Sequence, residues 1–117
     1  MAKVGKPYRQ ELASLRATYE WAVEAPLSDM QAPWRRFIQS DLLAVGSGGS
    51  FTAAVLATYL HEYYTGHFAK SVTPLDAALS SRNLSEAAVL ILTAGGGNPD
   101  VLGAFRTLVS REPRRIG

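Results

Sequence analysis

The spacing of apolar residues predicts helices in the first third of the chain. From Pro7 to about Ala25, apolar residues recur three and four positions apart among charged ones, which is typical of an amphipathic helix. Pro7 stands near its first turn and Pro26 follows its end, both favourable positions for proline. This helix either covers a sheet or pairs with another copy. A second, shorter helix is expected to begin near Pro33.

Two short apolar runs, Asp41–Gly46 and Ala87–Thr93, predict strands. A further strand is expected between them, over Ala69 to about Pro74. Continuous apolar runs of this length, bounded by polar residues or glycine, are typical of strands buried on both faces. Helices or short turns are expected after each strand, over Gly49–Tyr64, Asp76–Ser81 and Pro99–Ser110.

Strands that alternate with helices predict an α/β fold with three layers and a parallel sheet. We expect residues 1–40 to form an N-terminal helical segment that packs on the domain or on a dimer partner. Residues 41–117 would hold the first three strands of the α/β domain. Arg114–Gly117 is similar to the beginning of another strand, and three strands alone leave an open edge. The sheet is therefore expected to be incomplete at the C-terminus and completed by a longer chain or by another chain.

Composition restricts the classes of function. The 117 residues, 47% of them hydrophobic, suffice for one domain with a core. The net charge of +2 is dispersed, which argues against direct nucleic-acid binding. The chain contains no cysteine, and Met1–Gln10 lacks the apolar core of a signal peptide. No apolar run is long enough to span a bilayer, so we expect a cytoplasmic protein that binds no membrane.

Two glycine-rich turns carry the candidate chemistry. Gly46–Ser50 and Thr93–Asn98 each follow a predicted strand and precede a predicted helix. Free N–H groups and the positive end of the helix dipole meet at a helix start, and glycine lets a phosphate approach them closely. A phosphorylated small molecule is thus the first ligand to consider. The alternative is a simple tight turn in which Ser50 caps its helix.

The two turns are expected to border one crevice if their strands are neighbours at a switch in strand order. Hydroxyl, amide and backbone N–H groups would then bind the anion, each contributing about 1.5–3 kcal/mol. The candidate ligand-binding residues are Ser47, Gly48, Gly49, Ser50, Thr93, Gly95, Gly96, Gly97 and Asn98.

The sequence does not match other known phosphate-binding, nucleotide-binding or zinc-binding motifs. Neither turn ends in the Gly-Lys-Ser/Thr of a P-loop, and Phe51 stands where a dinucleotide fingerprint needs glycine or alanine. His61 and Glu62 begin a zinc-protease pattern, but Thr65 occupies the place of its second histidine. We expect His61 and His67 to be structural, and we assign no metal, no cofactor and no catalytic residue.

The segment Leu43–Ala54 resembles the opening of a sugar isomerase (SIS) domain, where a strand runs into a Gly-Ser-Gly-x-Ser turn and a small-residue helix. Leu90–Asp100 is similar to the second signature of that family, a strand ending in Ser-x-Ser-Gly-x-Thr. The signatures occur in the right order, and the resemblance covers roughly Arg35 to Gly117. It implies a flavodoxin-like parallel sheet that binds phosphosugars, usually in a dimer.

The resemblance also implies roles for single residues. Ser47 and Ser50 would bind ligand from the first turn, and Thr93 stands at the first serine of the second signature. Gly95 and Asn98 depart from it, since they replace a hydroxyl residue and the usual threonine. The base and histidine of the family's isomerases come from later parts of the domain or from a partner subunit. The chain would therefore be part of a phosphosugar isomerase or related carbohydrate enzyme. It would act as a homo-oligomer or together with the remainder of a longer chain. The alternative is a non-catalytic module for sugar-phosphate sensing or for assembly.

Overall fold

Five helices and four strands alternate along the part of the chain that the computed structural model describes, residues 7–117. The first six residues of the expected N-terminal segment, and with them most of the stretch tested for a signal peptide, lie outside it. The helices are α1 (Tyr8–Glu24), α2 (Ser28–Phe37), α3 (Gly49–Thr65), α4 (Pro74–Leu79) and α5 (Pro99–Ser110). The strands are β1 (Asp41–Val45), β2 (Ala69–Val72), β3 (Ala87–Ile91) and β4 (Arg115–Ile116).

The chain divides within α2 into two compact units. The first comprises the described residues up to Gln31, and the second comprises Ala32–Gly117. Every residue of α1, in the first unit, is exposed. None of the helices within residues 7–117 is both long and apolar enough to cross a membrane.

The second unit is built on a four-stranded sheet in the order β2-β1-β3-β4, with every pair parallel. Leu43 of β1 pairs with Lys70 of β2 on one side and with Val89 of β3 on the other. From β1 the chain continues to β2 on one side of the sheet and then to β3 on the other side. The strand order therefore reverses between β1 and β3, and a crevice opens at the carboxyl ends of these two strands. The predicted α/β class with a parallel sheet is confirmed.

Side chains of the strands alternate between two cores. Leu42 and Ala44 pack with Phe37 of α2 and Ala54 of α3 on one face of the sheet. The opposite face packs against α4 and α5, and its buried residues are Leu43, Val45, Val72, Ala77, Leu84, Val89, Ala104 and Leu108. Helices therefore cover both faces of the sheet, which gives the predicted three layers.

The fourth strand extends the sheet beyond the three strands expected. β4 pairs with β3, and Gly117 continues the ladder through its N–H bond to Val89 O, 2.9 Å. The similarity of Arg114–Gly117 to the beginning of a strand is thus confirmed.

Several element ends differ from prediction. The prediction that the second helix begins near Pro33 is wrong: α2 starts at Ser28, and Pro33 lies inside it. β2 ends at Val72 because Thr73 caps α4, its Oγ1 accepting the Asp76 N–H at 3.3 Å. Pro74 and Pro99 begin α4 and α5, so the expected preference of proline for a helix start holds for those two helices and not for α2.

Candidate functional site

Both glycine-rich turns line one cleft of about 430 Å³ at the carboxyl ends of β1 and β3. This volume lies in the range of small-molecule sites. The cleft is lined by Ser47, Ser50, Leu92, Thr93, Ala94, Gly95, Gly96, Gly97, Asn98 and Val101.

Seven of the nine candidate residues lie in this lining. Gly48 and Gly49 are exposed and do not line the cleft. Leu92, Ala94 and Val101 also line the cleft, although they were not among the candidates, and they add apolar surface to it. Ala94 was recognisable from its place inside the second turn, whereas only the packing of α5 brings Val101 to the cleft.

The first turn leaves hydrogen-bonding groups unused. Ser50 N–H donates to Ser47 O at 3.1 Å and Phe51 N–H donates to Gly48 O at 3.0 Å. Among the described residues, the N–H groups of Ser47, Gly48 and Gly49 reach no protein acceptor, and the hydroxyls of Ser47 and Ser50 reach no protein partner. The interpretation of Ser50 as a helix cap is wrong, because Gly48 is the N-cap of α3 and no side chain caps this helix.

The path of the first turn depends on glycine at two positions. Gly48 has φ +58° and ψ −127°, a conformation that side-chain-bearing residues rarely adopt. A Cβ at Gly46 would collide with Ser50 O and lie 2.5 Å from Ser50 C and 2.7 Å from Phe51 N. Gly46 thus lets β1 pass directly against the start of α3. This role of Gly46 was not predictable from the sequence, because close approach between two backbones leaves no sign there beyond the glycine itself.

In the second turn, two of the candidate side chains also hold the backbone. Thr93 Oγ1 accepts the Gly96 N–H at 3.2 Å, and Gly96 has φ +70°. Asn98 Oδ1 accepts the N–H groups of Asp100 at 2.8 Å and Val101 at 3.4 Å, and so caps α5. The Thr93 hydroxyl hydrogen and the Asn98 amide hydrogens are still free to donate to a ligand.

Most backbone donors of the second turn are also unused. Within the part of the chain that the structure describes, five of its N–H groups reach no protein acceptor: those of Thr93, Ala94, Gly95, Gly97 and Asn98. The cleft therefore combines these donors and the unpaired Ser47 N–H of the first turn with the N-terminal ends of α3 and α5.

The electrostatics of the cleft come from the backbone. None of its lining residues carries an ionisable side chain. The positive ends of the α3 and α5 dipoles favour an anion there. Asp100, in the first turn of α5, places a negative charge on the same helix end.

The histidines lie away from this cleft. His61 is buried on α3, with Nε2 2.8 Å from the carbonyl oxygen of Ser40. Because a carbonyl only accepts, Nε2 carries the hydrogen and the ring ties α3 to the residue before β1. His67 Nδ1 lies 3.7 Å from Asp41 Oδ1, and no group of three or more potential metal ligands occurs in residues 7–117.

The chain matches no protein-family model, and no curated protein and no solved structure matches it either. The geometry of the cleft is thus the observation that bears on function.

Proposed function

We propose that the cleft binds the phosphate group of a phosphorylated sugar or sugar derivative, as in the SIS domains that the two turns resemble. The observation that supports this most is the meeting of two helix N-termini in one cleft with the unpaired N–H groups of the second turn and of Ser47. Backbone N–H groups at helix starts are a recurrent means of binding phosphate.

Neutral donors are sufficient for a phosphate. Each hydrogen bond to a charged group contributes about 1.5–3 kcal/mol, so three or four give a usable site without a lysine. The donors that we assign to the phosphate are the Ser50 hydroxyl, the Ser47 N–H and the unpaired N–H groups of the second turn. The Thr93 hydroxyl and the Asn98 amide are assigned to the sugar hydroxyls, which can accept hydrogen bonds from these neutral donors.

The proposed activity of the whole protein is that of a phosphosugar isomerase or related carbohydrate enzyme. Isomerisation needs an acid and a base, and the described lining of the cleft contains no ionisable side chain. Those groups would come from other residues or from a partner subunit. The alternative, a non-catalytic sensing or assembly module, is favoured by the same observation, because binding alone needs no base.

The experiment that tests the proposal is thermal unfolding with a panel of sugars. Glucosamine 6-phosphate, fructose 6-phosphate and a sedoheptulose phosphate are each compared with the unphosphorylated sugar and with inorganic phosphate. Binding to the folded state raises the melting temperature. A rise with a phosphosugar that its unphosphorylated form does not produce would support the proposal. A folded sample that responds to none of the phosphosugars would contradict it.

The variant Ser50→Ala is expected to weaken phosphosugar binding by about tenfold or more, since a hydrogen bond to a charged group is lost. Ser47→Ala should have a smaller effect if only the Ser47 N–H contributes. Calorimetric titration measures both affinities. Ser110→Ala, at the far end of α5, is the matched control and should bind like the wild type. If Ser50→Ala bound as tightly as the wild type, Ser50 would not belong to the site.

The variant Asp100→Asn is expected to bind the phosphosugar about two- to fivefold more tightly at low salt, because a negative charge leaves the helix end that faces the anion. The same change should cost about 0.3–1 kcal/mol of stability, since a carboxylate in the first turn favours the helix dipole. Titrations at low and high ionic strength measure the gain, which should fade as salt rises.

Asp76→Asn is the control for Asp100→Asn. Asp76 also lies in a first helical turn, that of α4, and does not line the cleft. Its removal changes the net charge equally and should leave the affinity unchanged. An equal gain from both variants would show that overall charge, and not the α5 end, governs binding.

A further inference from the structure

A second pocket lies at the opposite edge of the sheet from the cleft, at the amino ends of β1, β2 and β3. We call it the amino-end pocket; it has a volume of about 230 Å³ and is lined by residues 41–43, 68–70 and 82–84 together with Ala87. All of these residues belong to the Ala32–Gly117 unit, and none of them lines the cleft. The two sites are therefore built from separate parts of the same unit.

Arg82 brings a charged donor to the lining that the protein leaves without an acceptor. Its Nη1 is buried and reaches no hydrogen-bond partner among residues 7–117. Its Nη2 lies 3.8 Å from Asp76 Oδ2, which is beyond hydrogen-bond distance. A buried charged donor without an acceptor destabilises a protein, and for this reason most buried polar groups are paired. A ligand that supplies an acceptor oxygen would remove this cost.

The charged residues of the lining favour a ligand with one negative charge. Lys70 forms no ion pair within the part of the chain that the structure describes. Asp41 is the acidic residue of the described lining, and its Oδ1 accepts the Phe68 N–H at 3.0 Å. Lys70, Arg82 and Asp41 together give the lining a net charge of +1. A single carboxylate would neutralise it.

The remaining residues of the lining fit a short hydrocarbon chain. Six of the ten lining residues are apolar, and Leu43 and Leu84 among them belong to the buried core. Asn83 Oδ1 accepts both the N–H and the hydroxyl of Ser85, so its amide hydrogens can donate to a ligand. Sites for drug-sized ligands measure about 300–1,000 Å³, so this smaller pocket suits a small organic molecule.

We propose that the amino-end pocket binds a short-chain monocarboxylate, with the carboxylate on Arg82 and Lys70 and the hydrocarbon chain on Leu43 and Leu84. The N–H groups of arginine form a fork that matches the two oxygens of a carboxylate. Inorganic phosphate would also pair with arginine, but it has no apolar part to bury against the leucines. The proposal does not depend on phosphosugar binding, since the two sites share no residue.

The first test follows the backbone amide signals of the full chain by NMR during a titration with butyrate at constant ionic strength. Butyramide, which has the same carbon chain without the charge, is the matched control. Butyrate is expected to shift the signals of Phe68, Asn83 and Leu84 and to leave those of residues 95–97 in the cleft unchanged. Butyramide should shift neither group.

The second test measures the butyrate affinity of variants. Arg82→Gln is expected to raise the dissociation constant about tenfold or more, since a hydrogen bond to a charged group is lost. Lys70→Gln should raise it about two- to fivefold, as is usual for a more exposed charge. Arg106→Gln on α5 is the matched control, because it removes the same charge from a residue outside the pocket. It should bind like the wild type.

Thermal unfolding without butyrate separates binding from folding. Arg82→Gln should melt no lower than the wild type, because the change removes the buried Nη1 that reaches no partner within residues 7–117. If Arg82→Gln is poorly folded, the comparison of butyrate with butyramide on the wild type still tests the proposal.

A wild type whose amino-end signals do not respond to butyrate would overturn the proposal. So would equal responses to butyrate and butyramide, a response confined to residues 95–97, or an equal loss of affinity in Arg82→Gln and Arg106→Gln. Inorganic phosphate is titrated in parallel, and a larger shift of Asn83 and Leu84 with phosphate than with butyrate would overturn the assignment to a carboxylate. In each case the phosphosugar proposal stands, since its test reports on the other edge of the sheet.

Discussion

Replacing Gly46 with alanine is expected to destabilise the Ala32–Gly117 unit by about 3 kcal/mol, at the upper end of overpacking effects. The added Cβ would meet backbone atoms, 2.5 Å from Ser50 C and 2.7 Å from Phe51 N. A side chain could rotate away, but these atoms belong to the first turn of α3 and cannot move alone. Relief requires α3 to shift from β1, which would disturb the packing of Ala54 on Ala44.

Urea unfolding of Gly46→Ala and Gly49→Ala measures this effect. Gly49 is the matched control: it is the first residue of α3, its φ is not positive, and a Cβ there meets nothing within 4 Å. Alanine at such a position is expected to leave stability unchanged or to raise it by about 0.4–1 kcal/mol. Equal midpoints for Gly46→Ala and the wild type would show that β1 and α3 do not approach as closely as the structure indicates.

The order and type of the elements were predictable where local signals agree. β1 and β3 are continuous apolar runs, and Gly66 ends α3 in the left-handed conformation that favours glycine. Boundaries were less predictable. Pro33 suits a helix start, but Ser28 and Asp29 also favour one, and the sequence alone does not decide between them.

The location of the candidate site was predictable only with an assumption about the order of the strands. Glycine turns after the first and third strands could be placed in one crevice once those strands were assumed to be neighbours, and the order β2-β1-β3-β4 makes them so. The internal hydrogen bonds were not predictable. Thr93 and Asn98 were expected to donate to a ligand, and their side-chain oxygens also accept backbone N–H groups of the second turn and of α5.

The orientation of α3 on the sheet was not predictable either. The sequence of α3 offers both Leu60 and His61 as inner positions, because an apolar helix gives no polar side to orient it. The structure buries His61 and exposes Leu60. When both sides of a helix are apolar, the hydrophobic pattern identifies the helix but does not show which side faces the sheet.

The variant Gly96→Val is expected to lose at least tenfold in phosphosugar affinity and about 1–3 kcal/mol in stability, because a β-branched residue at φ +70° is strained. A shift of this residue would break the Gly96 N–H bond to Thr93 Oγ1 and displace the unpaired N–H groups on either side. The turn would then present its donors in a different arrangement. Calorimetric titration and urea unfolding of the same sample measure the two effects.

Gly95→Val separates backbone strain from crowding of the cleft. Gly95 lies in the same turn and lines the same cleft, but its φ is not positive and a Cβ meets nothing within 4 Å. Its stability should stay within about 0.5 kcal/mol of the wild type, as is usual at exposed positions without strain. If Gly96→Val kept both full affinity and full stability, the second turn would not be part of the site. If Gly95→Val lost affinity without losing stability, side-chain bulk at the cleft would suffice to block the ligand, and the second turn would still belong to the site.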